Sequence, residues 1–301
     1  MSFAIFCTGS SGLVASGFSH ITGVKSIPFY GFDLHGNEES VDILNPDNLL
    51  RNVQKKLSEA AAQKIQPVMF HFAAATMTGF DLTPEQINLS WELNVDGTQN
   101  VLEVCKQLAI PCVHISTDYV FSGGQKETSY FPGDVLTPDE TVYSQTKARA
   151  EELVMESSSS QSVAIVRIAF PYGNNEHPKR GLVRKMVEWM DTKPQVVLYG
   201  DQRISPSPIR LIGEGCLILA ELLANKKITS GNIFHLVGKP TTPFEFGSMV
   251  KEIYGKNTPL VQTSINSSGP KNLVLDTKKT EEMLGITVLD HKEEIQKMFS
   301  S

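Results

Sequence analysis

Tyr143 and Lys147 stand four residues apart in Tyr143-Ser144-Gln145-Thr146-Lys147. On a helix this spacing sets a phenol and an ammonium side by side on one face. A neighbouring cation favours phenolate over phenol and lowers the tyrosine pKa. The side chain then becomes usable as an acid or base near neutral pH. The pattern alone is common, and its plainer reading is an exposed helix face. It gains meaning from the upstream run His114-Ile115-Ser116-Thr117-Asp118-Tyr119-Val120-Phe121, where an apolar strand ends in hydroxyls. Thr117 is placed there to bond a substrate carbonyl oxygen, with Ser116 as the alternative; a helix cap or turn hydroxyl is the plainer role. Asp118 and Tyr119 either meet substrate hydroxyls or close the loop.

A second constellation sits near the N-terminus. Thr8-Gly9-Ser10-Ser11-Gly12-Leu13-Val14-Ala15 follows an apolar strand directly. Its glycines tighten the turn and let Ser11, Gly12 and Leu13 bring backbone N–H groups toward a pyrophosphate at the helix start. Small Ala15 suits close packing of that helix on the sheet. Asp33 ends the next strand, at the spacing of an acid that accepts from adenosine ribose hydroxyls. No Arg or Lys follows it closely, so a 2′-phosphate would meet a carboxylate without a cation. NAD(H) is therefore favoured, with NADP(H) as the alternative. A plain glycine turn and a solvated aspartate are the competing readings.

These residues need strands and helices to hold them. Strand patterns cover 3–8, 26–33, 68–74, 111–116 and 163–168; helical patterns cover 49–64, 84–108 and 143–155. Such alternation predicts an α/β fold with a doubly wound parallel sheet covered on both faces. After about Pro171 the pattern loosens. We expect residues 1–170 to form the cofactor domain and 171–301 mainly the smaller substrate-binding region, with later segments crossing back. No internal repeat is visible.

Composition excludes several classes. The 301 residues are 41% hydrophobic and 20% charged, with a formal net charge of −6. That balance offers no basic footprint for nucleic acid. Cys7, Cys105, Cys112 and Cys216 have no metal-ligand spacing, and we expect neither a disulfide framework nor a protein-bound metal. No basic leader precedes the first strand and no apolar run reaches membrane-span length. A cytoplasmic location is expected, and the sequons at Asn88 and Asn266 are read as chance matches.

With these motifs in place, the chain resembles the extended short-chain dehydrogenases/reductases, which have a Rossmann-fold cofactor domain. His71-Phe72-Ala73-Ala74 looks like the strand end that contacts the cofactor, and Asn94-Val95-Asp96-Gly97 opens what looks like the central helix. Arg167-Ile168-Ala169-Phe170-Pro171-Tyr172-Gly173 looks like the strand and turn below the nicotinamide. Within that family the chain is most similar to the dTDP-4-dehydrorhamnose reductases, through Ser116 to Phe121, Asp42-Ile43-Leu44-Asn45-Pro46 and Asp201-Gln202. The resemblance implies cofactor contacts at Asp42, Ile43, Phe72, Ala73, Ala74, Asn94 and Phe170 besides Tyr143 and Lys147. It implies substrate contacts at Asp118, Tyr119, Phe170 and Gln202, and a nucleotide-sugar substrate; a homodimer is left open. Asn94 has a plainer role in satisfying buried backbone.

The chain departs from that pattern at Pro132-Gly133, at Phe170 where those enzymes usually carry Trp, and at Gly269-Pro270 where they carry Arg-Pro. Two other readings stay open: a sugar-nucleotide epimerase or dehydratase of the same fold, and a non-catalytic NAD(P)-binding regulatory subunit similar to those of methionine adenosyltransferase. His71 and His114 read as core histidines. His177 reads as a loop residue that could also face substrate. Arg184 and Arg210 read as surface cations, with diphosphate contact as the weaker alternative.

Overall fold

The computed structural model describes residues 2–35, 39–124, 126–173, 177–265 and 269–298. Asn266 lies outside the described residues.

The chain opens with β1 (Phe3–Thr8), α1 (Leu13–Val24), β2 (Phe29–Phe32), α2 (Pro46–Ala62), β3 (Gln66–His71) and α3 (Pro84–Trp91). A π-helical turn (Glu92–Asp96) joins α3 to α4 (Gly97–Gln107). Then follow β4 (Cys112–Thr117), a 3-10 turn (Asp118–Val120), α5 (Val142–Ser157) and β5 (Val163–Ile168). The later chain adds α6 (Leu182–Thr192), β6 (Val196–Tyr199), α7 (Ile209–Ala224), β7 (Asn232–His235) and α8 (Pro243–Ile253). It closes with β8 (Leu260–Thr263), α9 (Lys278–Leu284) and α10 (His291–Lys297).

Among the described residues the main sheet runs β2-β1-β3-β4-β5-β7, and each pair is parallel. Strand alternation explains the unbroken apolar runs. Ile5, Cys7, Val68 and Phe70 face α1 and α7. Ala4, Phe6 and Met69 point the other way, toward α2, α4 and α5. A sheet buried on both faces needs apolar residues at every position. β7 lies beside β5, so a late segment returns to the first sheet. β6 and β8 form a separate parallel pair whose core is shared with α6 and α8.

Helix starts follow local chemistry. Thr83 and Thr242 form capping boxes with Gln86 and Glu245, each with Pro in the first turn. Thr141 caps α5 by accepting from the Ser144 N–H, which fixes where the helix bearing Tyr143 and Lys147 begins.

Two sequence expectations change. The strand read over 26–33 starts only at Phe29, because Ser26 (φ 55°) belongs to the left-handed turn closing α1. The helix read over 84–108 is interrupted by the π turn at Asn94. Residues 42–45 form a loop leading into α2: Asp42 Oδ1 accepts from Leu44 N at 2.9 Å, and Asn45 caps α2 ahead of Pro46. All four cysteines are buried and free. Among the described residues no helix is long and apolar enough to cross a membrane.

Candidate active site

The strand order reverses between β1 and β3, and in open α/β sheets a crevice forms at the carboxyl ends of the strands there. The cleft found at that point encloses about 370 Å³. Gly9, Gly12, Leu13, Phe72 and Ala74 line one side; Thr117, Asp118, Tyr119, Tyr143, Lys147 and Phe170 line the other. The glycine turn and the Tyr-Lys helix, far apart in sequence, thus share one cavity.

Gly9 is required by its surroundings. Its φ is +67°, and a Cβ there would lie 2.5 Å from Ala73 N. Ala73 therefore acts by pressing its backbone on the turn rather than by lining the cleft. Gly12 is the N-cap of α1 and offers no side-chain cap, so the helix end meets the cleft without a competing cap. That suits an anionic diphosphate. Asp33 Oδ2 accepts from Ser11 N at 2.9 Å, which ties the strand end to the turn. The donor set, the open helix end and the close strand approach fit a dinucleotide; Gly9, Gly12, Leu13, Phe72 and Ala74 would hold it.

The catalytic candidates meet as the spacing predicts, but their electrostatics differ from expectation. Burial pushes the Tyr143 phenol up to about 12; a hydrogen bond with Thr117 pulls it down and the Asp118 charge raises it. Lys147 does not lower it, because its ammonium turns inward. Lys147 Nζ lies 2.9 Å from His114 Nε2 and donates to Ile115 O at 2.8 Å. Burial pulls Lys147 down to about 8, opposed by Glu151. Thr117 realises its plainer role, its Oγ1 accepting from Tyr119 N at 3.3 Å as a cap, and it also lines the cleft. Burial raises the Asp118 carboxyl to about 7.

The wall below Tyr143 is aromatic, with Tyr119 centred 5.8 Å from Tyr143 and 6.2 Å from Phe170. Phe170 adopts φ 41°. A bulky residue in this region carries backbone strain, a mark of positions held by function or packing.

Several implied contacts are spent elsewhere. Asn94 is buried away from the cleft; its amide bonds Ala75 N at 2.8 Å, Ala75 O at 3.1 Å and Thr146 Oγ1 at 2.9 Å. Its plainer role is the one realised. Ile43 packs into the core against Gly97, and Asp42 is taken up in its turn; neither lines the cleft. Gln202 Nε2 donates to Pro270 O at 3.0 Å, outside the cleft. Arg184 donates to His177 O at 2.8 Å. Arg210 pairs with Glu214 and Glu294. His177 donates through Nε2 to Ser11 O at 2.7 Å, clasping the glycine turn.

Sequence reasoning missed Lys179, Arg180 and Lys185, which line the cleft. The charge run Lys179-Arg180 after the Pro171 turn was the available signal. It also missed the buried pair of Arg167 and Glu151, 2.7 Å apart. Arg167 rests over Phe121 at 4.9 Å and reaches His235 at 3.2 Å, bracing the strand and helix that carry the site.

Known proteins resemble this arrangement. The chain is 26% identical over 230 residues to a dTDP-4-dehydrorhamnose reductase of Aggregatibacter actinomycetemcomitans, covering 72% of this chain and 76% of that protein. The solved structure of the dTDP-4-dehydrorhamnose reductase of Bacillus anthracis str. Ames in complex with NADP is similar with a TM-score of 0.79. That likeness spans 100% of this chain and 99% of the other at 20% identity. The UDP-glucose 4-epimerase of Brucella ovis in complex with NAD reaches a TM-score of 0.81 at 17% identity, over 98% and 96% of the two chains. At such identities the structural likeness is one of fold. A family model described as RmlD substrate binding domain matches residues 3–301, nearly the whole length, and the chain belongs to that family.

Proposed function

We propose that this protein reduces a 4-keto-6-deoxyhexose carried on a nucleoside diphosphate, toward a rhamnose-type sugar. The observation that carries the reading is the single cleft in which the Gly9–Leu13 turn faces Thr117, Tyr143 and Lys147. The dTDP-4-dehydrorhamnose reductases among its relatives support it.

A nicotinamide cofactor supplies the hydride when bound. NAD(H) is the preferred form, because Asp33 holds a carboxylate against the turn where a 2′-phosphate would add like charge. Tyr143, held protonated at neutral pH by its burial, gives its hydroxyl proton to the keto oxygen as the new alcohol forms. Thr117 orients that oxygen from the end of β4, its hydroxyl proton turning from Asp118 Oδ1 to the substrate. Lys147, held by His114 and Ile115, turns its remaining ammonium proton to the cofactor's ribose. Tyr119 and Phe170 form an apolar face against which the sugar packs. Lys179 and Lys185 supply cations at the cleft for the diphosphates. Residues 1–170 act as the cofactor domain and 171–301 mainly as the substrate region; the enzyme works in the cytoplasm.

The test is a panel of dTDP-, UDP- and GDP-linked 4-keto-6-deoxy sugars with NADH or NADPH, followed by absorbance of the reduced cofactor. Oxidation with formation of the 4-hydroxy product is expected. If no sugar in the panel is reduced while NAD(H) binds tightly, the reductase reading falls and a regulatory cofactor-binding role replaces it.

A further inference from the structure

Two histidines lie beneath the cleft, and they are satisfied very differently. His71 has partners on both ring nitrogens, Thr8 Oγ1 at 2.7 Å and Thr98 Oγ1 at 3.0 Å. His114, centred 5.3 Å from it, is 1% exposed. Its Nε2 meets Lys147 Nζ at 2.9 Å, whereas its buried Nδ1 has no hydrogen-bond partner. An unpartnered buried ring nitrogen costs stability, and an apolar side chain in its place would avoid that cost. A histidine here is explained by what Nε2 does.

With Lys147 as an ammonium, Nε2 is the acceptor and the imidazole proton sits on Nδ1. Two of the three ammonium protons then go to His114 Nε2 and Ile115 O, which leaves one for the cleft that Lys147 lines. We propose that His114 is the positioning residue of Lys147: its Nε2 anchors the ammonium so that the remaining proton is aimed at the bound cofactor.

The other groups around Lys147 do not duplicate this anchor. From its own helix come Tyr143 and Glu151, and Glu151 is engaged by Arg167 of β5 through both carboxylate oxygens. From β4 and the turn after it come His114 and Asp118, the latter bonded to Thr117. From β3 comes His71, behind His114. Burial holds His114 well below the usual histidine range, with the Lys147 and His71 charges adding to it. The ring therefore stays a neutral acceptor while Lys147, drawn down to about 8 by burial, carries the proton.

The inference rests on the proposed reaction only for its turnover readout. His114→Phe removes the acceptor, and His114→Gln keeps an acceptor oxygen near the Nε2 position. With the Phe variant, kcat/KM should fall about tenfold or more, the range for losing a hydrogen bond to a charge. NAD(H) affinity, read by fluorescence titration without turnover, should fall as well. The alkaline limb of the pH profile should move to lower pH, because the ammonium loses support and sheds its proton earlier. His114→Gln should restore all three. A folded Phe variant with unchanged cofactor affinity and pH profile overturns the proposal. Should neither variant fold, NMR of histidine-labelled wild-type protein decides: Nε2 must be unprotonated and Nδ1 protonated at neutral pH, and the opposite tautomer overturns the assignment. If the wild type reduces no sugar, the proposed reaction fails, yet affinity and tautomer still judge His114.

Discussion

Thr117 and Asp118 share a hydrogen bond of 3.0 Å, Oγ1 donating to Oδ1, while the other carboxylate oxygen of Asp118 has no partner. A carboxylate 1% exposed and half-satisfied resists ionisation. Burial accordingly raises its pKa from 3.8 to about 7, against the lowering pull of the Thr117 bond. A raised folded-state pKa contributes stability that is fully present below the unfolded pKa and is lost as pH climbs to the folded value. The loss should accrue between about pH 4 and 7 and reach on the order of a few kcal/mol at most. Asp118→Asn should melt close to the wild type at pH 4 and above it at pH 8. Equal melting differences at both pH values would sink this account of Asp118.

Tyr143→Phe deletes the proposed proton donor and its hydrogen bond with Thr117, while the ring keeps its contact with Tyr119. Turnover should fall about 10²-fold or more, the low end of general-acid effects. NAD(H) affinity should stay nearly unchanged. Full activity in this variant would show that another group delivers the proton.

Asp33→Ala should do two things. Losing the 2.9 Å bond to Ser11 N loosens the glycine turn, so both cofactors should bind more weakly. Losing the carboxylate also removes the repulsion of a 2′-phosphate, so NAD(H) should lose more than NADP(H). Calorimetric titration of both cofactors reads the ratio. Clear NADPH preference in the wild type would contradict the role given to Asp33.

Gly9→Ala tests the cradle itself. The new methyl would sit 2.5 Å from Ala73 N at a φ of +67°. The left-handed backbone alone costs roughly 1–2 kcal/mol, and the clash forces β1 and β3 apart at their carboxyl ends. Both the melting temperature and cofactor affinity should drop. A variant that keeps wild-type cofactor affinity would mean that the turn does not set the site.

Local spacing in the chain was enough to read features that lie within one element or at its end. The four-residue interval of Tyr143 and Lys147 puts both on one helix face, the glycines follow β1 directly, and Thr117 closes β4; each is decided by backbone periodicity and turn chemistry. The fold class was legible for the same reason, since apolar runs at every strand position report a sheet covered on both faces. Tertiary structure alone decided the direction and charge of those groups. Lys147 faces His114 rather than lowering the Tyr143 phenol. Asn94 closes the backbone of Ala75, Gln202 holds Pro270, and Phe170 is forced to a positive φ. Hydrogen-bond partners across the fold and the loss of water on burial depend on which distant elements pack together, and no local spacing encodes that.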